Sequence, residues 1–100
     1  MQGRFKTTGG KLVIVDFEVE QGRLRNVVIH GDFFVYPEEA YPLLASALEG
    51  VPADLPSTAM AERLAAAIPP GADLVGTSPD AIATAIQRGL TANESEAGRD

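Results

Sequence analysis

The sequence predicts an α+β domain: a mainly antiparallel meander sheet over residues about 3–36, followed by three helices packed on one face. Two observations support this prediction. Val, Ile, Phe and Thr dominate up to Tyr36, whereas Ala and Leu dominate from Pro37 onward, so strand formers precede helix formers. The charge changes at the same place, because residues 1–36 carry five basic and four acidic side chains and residues 37–100 carry three and ten.

The length of the chain fits one domain. Of its 100 residues, 45% are hydrophobic and 22% are charged, a balance typical of a globular protein. We expect the domain to occupy residues 1–90. No apolar pattern recurs over residues 91–100, which are predicted to form a disordered tail.

The first predicted hairpin covers residues 12–30. Apolar and polar residues alternate along its first strand, as in a strand with one buried face. Gln21-Gly22 is the predicted turn. The resulting pairs are Glu20 with Arg23, Glu18 with Arg25, Val15 with Val28, and Ile14 with Ile29. A bulge at Gly22, which would shift the pairing by one residue, is the alternative.

A second turn is predicted at Gly9-Gly10, which would place Phe5 beside Ile14. An apolar patch then lies on the sheet face opposite the main apolar stripe; its members are Phe5, Leu12, Ile14 and Ile29. We expect either the helices of this chain or a partner to cover that patch.

Three helices are predicted after the sheet. The first begins near Pro42 and stops at Gly50. The second is capped by Ser57 or Thr58 and runs through Ile68. Leu74-Val75 is a short extended piece. The last helix begins at Pro79, with Ser78 as its cap, and its apolar stripe consists of Ile82, Ala85, Ile86 and Leu90.

The composition excludes several classes of function. There is no cysteine, so a disulfide scaffold and a Cys-ligated zinc site are impossible. The net charge of −6 argues against nucleic acid as a partner. The apolar runs are too short to span a bilayer, and residues 1–11 lack the apolar segment of a secretory signal. We therefore predict a cytoplasmic chain without a membrane partner.

Few residues are candidates for chemistry. His30 and Asp32 flank Gly31 and could form an acid/base pair or two metal ligands. The structural interpretation is favoured: Asp32 caps the turn and His30 packs half-buried at the strand edge. Gly9-Gly10-Lys11 looks like the end of a P-loop, but it lacks the following Ser or Thr and the first glycine. No catalytic constellation and no metal site is predicted, which favours an accessory or binding module over an enzyme.

Residues 31–36 are the most unusual segment. Phe33, Phe34 and Tyr36 make up half of the six aromatic residues of the chain. Consecutive side chains of an extended segment point to opposite sides, so Phe33 and Phe34 cannot both point inward. We expect one of them to face a partner.

These motifs, taken in order, resemble the C-terminal accessory domain, or small subunit, of lipoate–protein ligases. The resemblance starts with Phe5, Gly9-Gly10 and the stretch from Val19 to Leu24, and continues with Gly31-Asp32-Phe33-Phe34. The helix from Leu43 to Gly50 and the stretch from Leu74 to Asp80 also fit. Together they cover residues about 2–90.

The resemblance implies an accessory subunit of a two-chain ligase, needed for ATP-dependent activation of lipoate to lipoyl-adenylate by the large catalytic subunit. Lipoate, ATP and Mg are implied in the complex and none is bound by this chain alone. The large subunit is the implied partner and the lipoyl-acceptor protein an indirect one. Met1 stands just before Arg4-Phe5, as expected of a free-standing subunit.

The resemblance and the residue patterns together give a set of site predictions. The partner-interface or activation candidates are Phe5, Lys11, Gly31, Asp32, Phe33 and Phe34. The structural turns are Gly9, Gly10 and Gly22. Asp32 is expected to fix its turn by accepting backbone N–H bonds. Two alternatives remain: a non-catalytic binding module of an unrelated pathway that acts through residues 31–36, and a small hydrolase that uses His30 and Asp32.

Overall fold

The computed structural model describes the chain except for residues 7, 8 and 100 and the side chains of residues 92–99. The strands are β1 (Gln2–Lys6), β2 (Leu12–Glu20), β3 (Arg23–Gly31), β4 (Phe34–Tyr36) and β5 (Asp73–Val75). The helices are α1 (Tyr41–Leu48), α2 (Ser57–Ala67) and α3 (Pro79–Arg99), and one 3-10 turn, Glu38–Ala40, precedes α1.

The α+β prediction is confirmed. Strands β1, β2 and β3 form an antiparallel meander in that order, and the core lies between one face of this sheet and the three helices. The largest fully buried side chains come from both layers: Val13, Val15, Leu24 and Ile29 from the sheet, and Leu44, Leu48, Met60, Leu64, Ile82 and Ile86 from the helices. The opposite face of the sheet carries no helix of the described chain.

The β2–β3 hairpin follows the predicted register only near its turn. Glu20 pairs with Arg23 and Glu18 with Arg25 as expected, but the register then shifts by one residue. The shift lies opposite Phe17, where Asn26 adopts a positive φ of 54°. Its side-chain Nδ2 donates to Glu18 Oε2 at 2.9 Å, which holds the bulge.

The bulge reverses the predicted orientation of the end of β3. Ile29 is the partner of Val15 and is buried in the core, whereas Val28 is the exposed residue. The prediction that Ile29 lies on the face opposite the core was therefore wrong. The bulge keeps apolar residues on the inner face, since unbroken alternation from Leu24 would have turned Asn26 and His30 inward.

Phe5 also lies on the other face from the one predicted. It pairs with Val13 instead of lying beside Ile14, because β1 ends at Lys6 and five residues separate it from β2. Phe5 therefore packs on the core side of the sheet, and the Arg88 guanidinium lies over its ring, 4.7 Å from the centroid.

A second, two-stranded sheet was not predicted. Strands β4 and β5 pair antiparallel, with Phe34 opposite Val75 and Tyr36 opposite Asp73. Residues 34–36 thus leave the main sheet, and the short extended piece at Leu74-Val75 becomes their partner. This pairing fixes the position of the aromatic segment.

The helix ends agree with the sequence in part. Ser78 Oγ accepts a hydrogen bond from the backbone N–H of Ala81 at 3.1 Å, which confirms the predicted cap of α3. Helix α2 differs, because its N-cap residue is Pro56 and neither Ser57 nor Thr58 provides a side-chain cap.

Helix α3 crosses β1 with almost no space between the two backbones. A Cβ atom on Gly3 would lie 1.6 Å from the carbonyl oxygen of Ala85. A Cβ atom on Gly89 would lie 2.9 Å from Cε1 of Phe17 and 3.0 Å from the backbone nitrogen of Gly3. The two glycines therefore set the distance between helix and sheet.

The backbone of helix α3 continues to Arg99, into the stretch of residues 91–100 that was predicted to form a disordered tail. The side chains of residues 92–99 and the whole of residue 100 lie outside the described part of the chain. Within the described part of the chain, no helix has both the length and the apolar character needed to cross a membrane.

Candidate functional site

An exposed apolar surface lies on the outer side of the β4–β5 sheet. Phe34, Tyr36 and Val75 are 59%, 54% and 48% exposed. Direct opposition places Phe34 and Val75 on one face of the pair of strands, and the rings of Phe34 and Tyr36 stack with centroids 6.3 Å apart. We call these three residues the aromatic face.

A cleft of about 560 Å³ opens beside the aromatic face. Its walls come from the end of β3, the residue before β4, β4 itself, the 3-10 turn and the start of α1. The lining residues are His30, Gly31, Phe33, Phe34, Val35, Tyr36, Glu38, Tyr41 and Pro42. Tyr41 holds one wall in place, because its hydroxyl donates to the backbone carbonyl of Ile29 and its ring lies 6.3 Å from that of Phe33.

The side chains of Phe33 and Phe34 point to opposite sides, as expected of consecutive residues in an extended segment. Phe33 is 9% exposed and belongs to the core, whereas Phe34 belongs to the aromatic face. The predicted candidates Gly31, Phe33 and Phe34 are thus brought together around one cleft.

Gly31 is required by close packing, since a Cβ atom there would lie 2.2 Å from the carbonyl oxygen of Leu12. The backbone N–H of Asp32 donates to that same oxygen at 3.0 Å. Among the described residues, the Asp32 carboxylate accepts no hydrogen bond. The turn is therefore fixed by backbone bonding and not by this carboxylate, contrary to the prediction.

Lys11 lies near this region, while Phe5 does not. The Lys11 backbone N–H donates to the carbonyl of Gly76 at 2.9 Å, and its side chain lies against the same glycine, just after β5. Phe5 lies on the inner face of β1 under Arg88. Gly9 and Gly22 have positive φ angles of 75° and 76°, as expected of turn glycines, and Gly10 lies in a bend.

His30 pairs with a different carboxylate from the one considered in the sequence. Its Nε2 lies 2.7 Å from Oδ2 of Asp16 on the neighbouring strand. Gln2 Nε2 donates to Asp16 Oδ1 at 2.8 Å, and Arg4 in turn donates to Gln2 Oε1. These side chains form a polar network across three strands on the uncovered face of the main sheet.

The network lowers the pKa of the Asp16 carboxyl, first through the hydrogen bond from His30 and then through that from Gln2. At a pH above the ordinary carboxyl pKa of about 3.9, the ionised Asp16 therefore stabilises the folded state. This contribution is lost as the pH falls through the lowered pKa. The side chains of His30 and Asp16 are 44% and 42% exposed. Solvent screening therefore keeps the contribution of this pair to stability below about 1 kcal/mol.

We predict that Asp16→Asn lowers the free energy of unfolding near neutral pH by that small amount. The difference from the parent protein should shrink as the pH falls from the ordinary carboxyl pKa of about 3.9 towards the lowered pKa of folded Asp16, below which the parent carboxyl is neutral as well. Urea denaturation at several pH values measures this. A difference that grows towards acid pH would contradict the assignment.

The site residues that the sequence did not indicate include Glu38, Tyr41 and Val75. Val75 was not recognised because its strand partner Phe34 is 41 positions away, beyond the reach of a local pattern. Tyr41 stands directly before Pro42 at a helix start, and that position gives no indication of the hydrogen bond to Ile29.

None of the described His, Asp and Glu side chains form a group of three or more that could hold a metal ion.

Neither a protein-family model nor a curated protein sequence matches the chain. Its structure is similar to a chain from an archaeal lipoylation system, a bi-partite lipoate protein ligase and its E2 lipoyl domain from Thermoplasma acidophilum. The superposition has a TM-score of 0.67 at 21% sequence identity and covers 86% of this chain and 92% of that chain. The chain shares its fold with a component of this lipoylation system. The fold implied by the sequence resemblance is thereby confirmed.

Proposed function

We propose that this chain is the accessory subunit of a two-chain lipoate–protein ligase, needed when the large catalytic subunit activates lipoate to lipoyl-adenylate with ATP. The observation that supports this proposal is the fold similarity to a chain of a bi-partite lipoylation system over 86% of the present chain. The order of the sequence motifs, from Phe5 to Asp80, supports the same role independently.

The proposal divides the work between the two chains. The large subunit binds lipoate, ATP and Mg, holds the reactive lysine and meets the lipoyl-acceptor protein. The small chain takes part in the activation step and does not enter the transfer step. This division follows from the family resemblance.

The aromatic face is the surface that we assign to contact with the large subunit. Interfaces that form between folded proteins place aromatic side chains at their centre and polar groups at their rim. Phe34 and Tyr36 are exposed on β4, whose other side is buried in the core through Val35, and the preceding Phe33 is buried as well. A rigid, exposed aromatic pair of this kind loses little conformational entropy on binding.

The test is to reconstitute the activity with the large subunit from the same organism. The small chain alone should neither consume ATP nor lipoylate an acceptor. Added to the large subunit, it should strongly raise the formation of lipoyl-adenylate, while transfer from preformed lipoyl-adenylate should stay nearly unchanged. An equal rise in both steps would contradict the division of work. Absence of binding to the large subunit would favour a binding module of another pathway.

A further inference from the structure

Carboxylates surround the aromatic face. Asp73 lies opposite Tyr36 in the β4–β5 pair, and Glu38 lines the cleft. Asp32 and Glu39 lie close by in the chain, on the two sides of β4. All four residues are exposed.

One basic side chain comes near this group: Lys11 lies against Gly76, just after β5, and in the described part of the chain it forms no ion pair with any of the four carboxylates. Residues 31–42 and 73–75 contain neither Lys nor Arg. The described part of the chain contains no ion pair that involves Asp32, Glu38, Glu39 or Asp73. His30 lines the cleft, but its imidazole is hydrogen-bonded to Asp16 on β2. The aromatic face therefore lies in a locally acidic surface on a chain whose net charge is −6.

We propose that the cleft beside the aromatic face receives an arginine or lysine side chain of a protein partner. A guanidinium or ammonium group is attracted to the faces of aromatic rings, most strongly where a carboxylate is also in reach. The stacked rings of Phe34 and Tyr36 supply the aromatic surface and Glu38 supplies the carboxylate. The inference relies on the proposed function only in naming the large subunit as the partner that carries the basic residue.

The charges disfavour other occupants. Two copies of this chain that met through this face would bring like carboxylates together, which is destabilising. An acidic partner would meet the same repulsion. A basic protein segment gains from both the local carboxylates and the long-range attraction of the negative chain.

The first experiment uses the isolated chain with short peptides as probes. Tetra-arginine is titrated against the labelled protein and tetra-glutamate serves as the matched control, with NMR resonances of Phe34, Tyr36 and Glu38 as the readout. We expect saturable shifts at these residues with tetra-arginine alone. Tyr36→Phe should retain the shifts, whereas Tyr36→Leu, which keeps the apolar contact and removes the ring, should weaken binding at least five-fold. Equal shifts with both peptides, no shifts, or shifts unaffected by Tyr36→Leu would overturn the proposal.

The second experiment measures the dissociation constant of the complex with the large subunit. Glu38→Lys should weaken it at least ten-fold. Glu62→Lys, an exposed position on α2 outside the cleft, changes the net charge equally and should weaken it less than two-fold. Equal weakening would overturn the proposal, because the effect would then reflect net charge. If tetra-arginine binds the cleft but the large subunit does not bind the chain, the proposed function fails and the basic-residue site stands.

Discussion

Gly3→Ala is expected to destabilise the fold by about 3 kcal/mol or more, a large part of the 5–15 kcal/mol typical of a small domain. The added Cβ atom would lie 1.6 Å from the carbonyl oxygen of Ala85, and both groups belong to backbones that cannot turn aside. Helix α3 would therefore have to move away from β1, which opens the core around Phe17.

Gly9→Ala is the matched control for this substitution. Gly9 has a positive φ of 75°, and no atom of the described residues lies within 4 Å of its added Cβ. Gly9→Ala should therefore lower the stability only by the backbone strain that it introduces, about 1–2 kcal/mol. Urea denaturation of the two variants measures the difference. Gly3 is not one of the glycines with a positive φ, so backbone strain of this kind does not apply to it. If Gly3→Ala destabilises the protein no more than Gly9→Ala does, the close contact between helix α3 and β1 is not the constraint that we infer.

Substitutions of the consecutive residues Phe33 and Phe34 should affect different properties: Phe33 the stability of the fold, and Phe34 the association with the large subunit. Phe34→Ala should leave the free energy of unfolding nearly unchanged, because the ring is 59% exposed. It should weaken association with the large subunit by about 2–4 kcal/mol, thirty-fold or more, since central aromatic residues dominate such interfaces. Phe33→Ala should instead cost about 3–5 kcal/mol of stability, because that ring is buried against Tyr41.

Thermal or urea unfolding and a binding titration, carried out on both variants, measure these two effects. Phe34→Leu is a useful control, because it keeps an apolar side chain on the same exposed strand. The assignment of the aromatic face would be wrong if Phe34→Ala bound the large subunit as tightly as the parent protein does.

The sequence was sufficient to predict the strands and helices but not the exact pairing of the strands. The alternation from Leu12 to Glu20 and the Ser78 cap identified a strand and a helix start correctly, because both depend on neighbouring residues. The bulge at Asn26 was missed, since Val27, Val28 and Ile29 are all apolar and alternation alone cannot choose which of them point inward. The signal was Asn26 itself, a residue that tolerates positive φ.

The candidate site was predictable in part for the same reason. Alternation required that only one of Phe33 and Phe34 face outward, and the structure places Phe34 there. The sequence did not reveal that β5 would pair with β4 and present Val75 beside Phe34, because strand pairing across such a separation has no local signature. The close approach of Gly3 to Gly89 was hidden likewise, since nothing local indicates which helix crosses which strand.

The most direct test of the central claim is the rate of pyrophosphate release by the large subunit, with lipoate and ATP, as this chain is titrated into the reaction. We expect the rate to rise and to saturate as the complex forms. Phe34→Ala should reach the same plateau only at a concentration at least thirty-fold higher. A rate that does not change when the parent chain is added would contradict the accessory role of this chain, whatever the variants do.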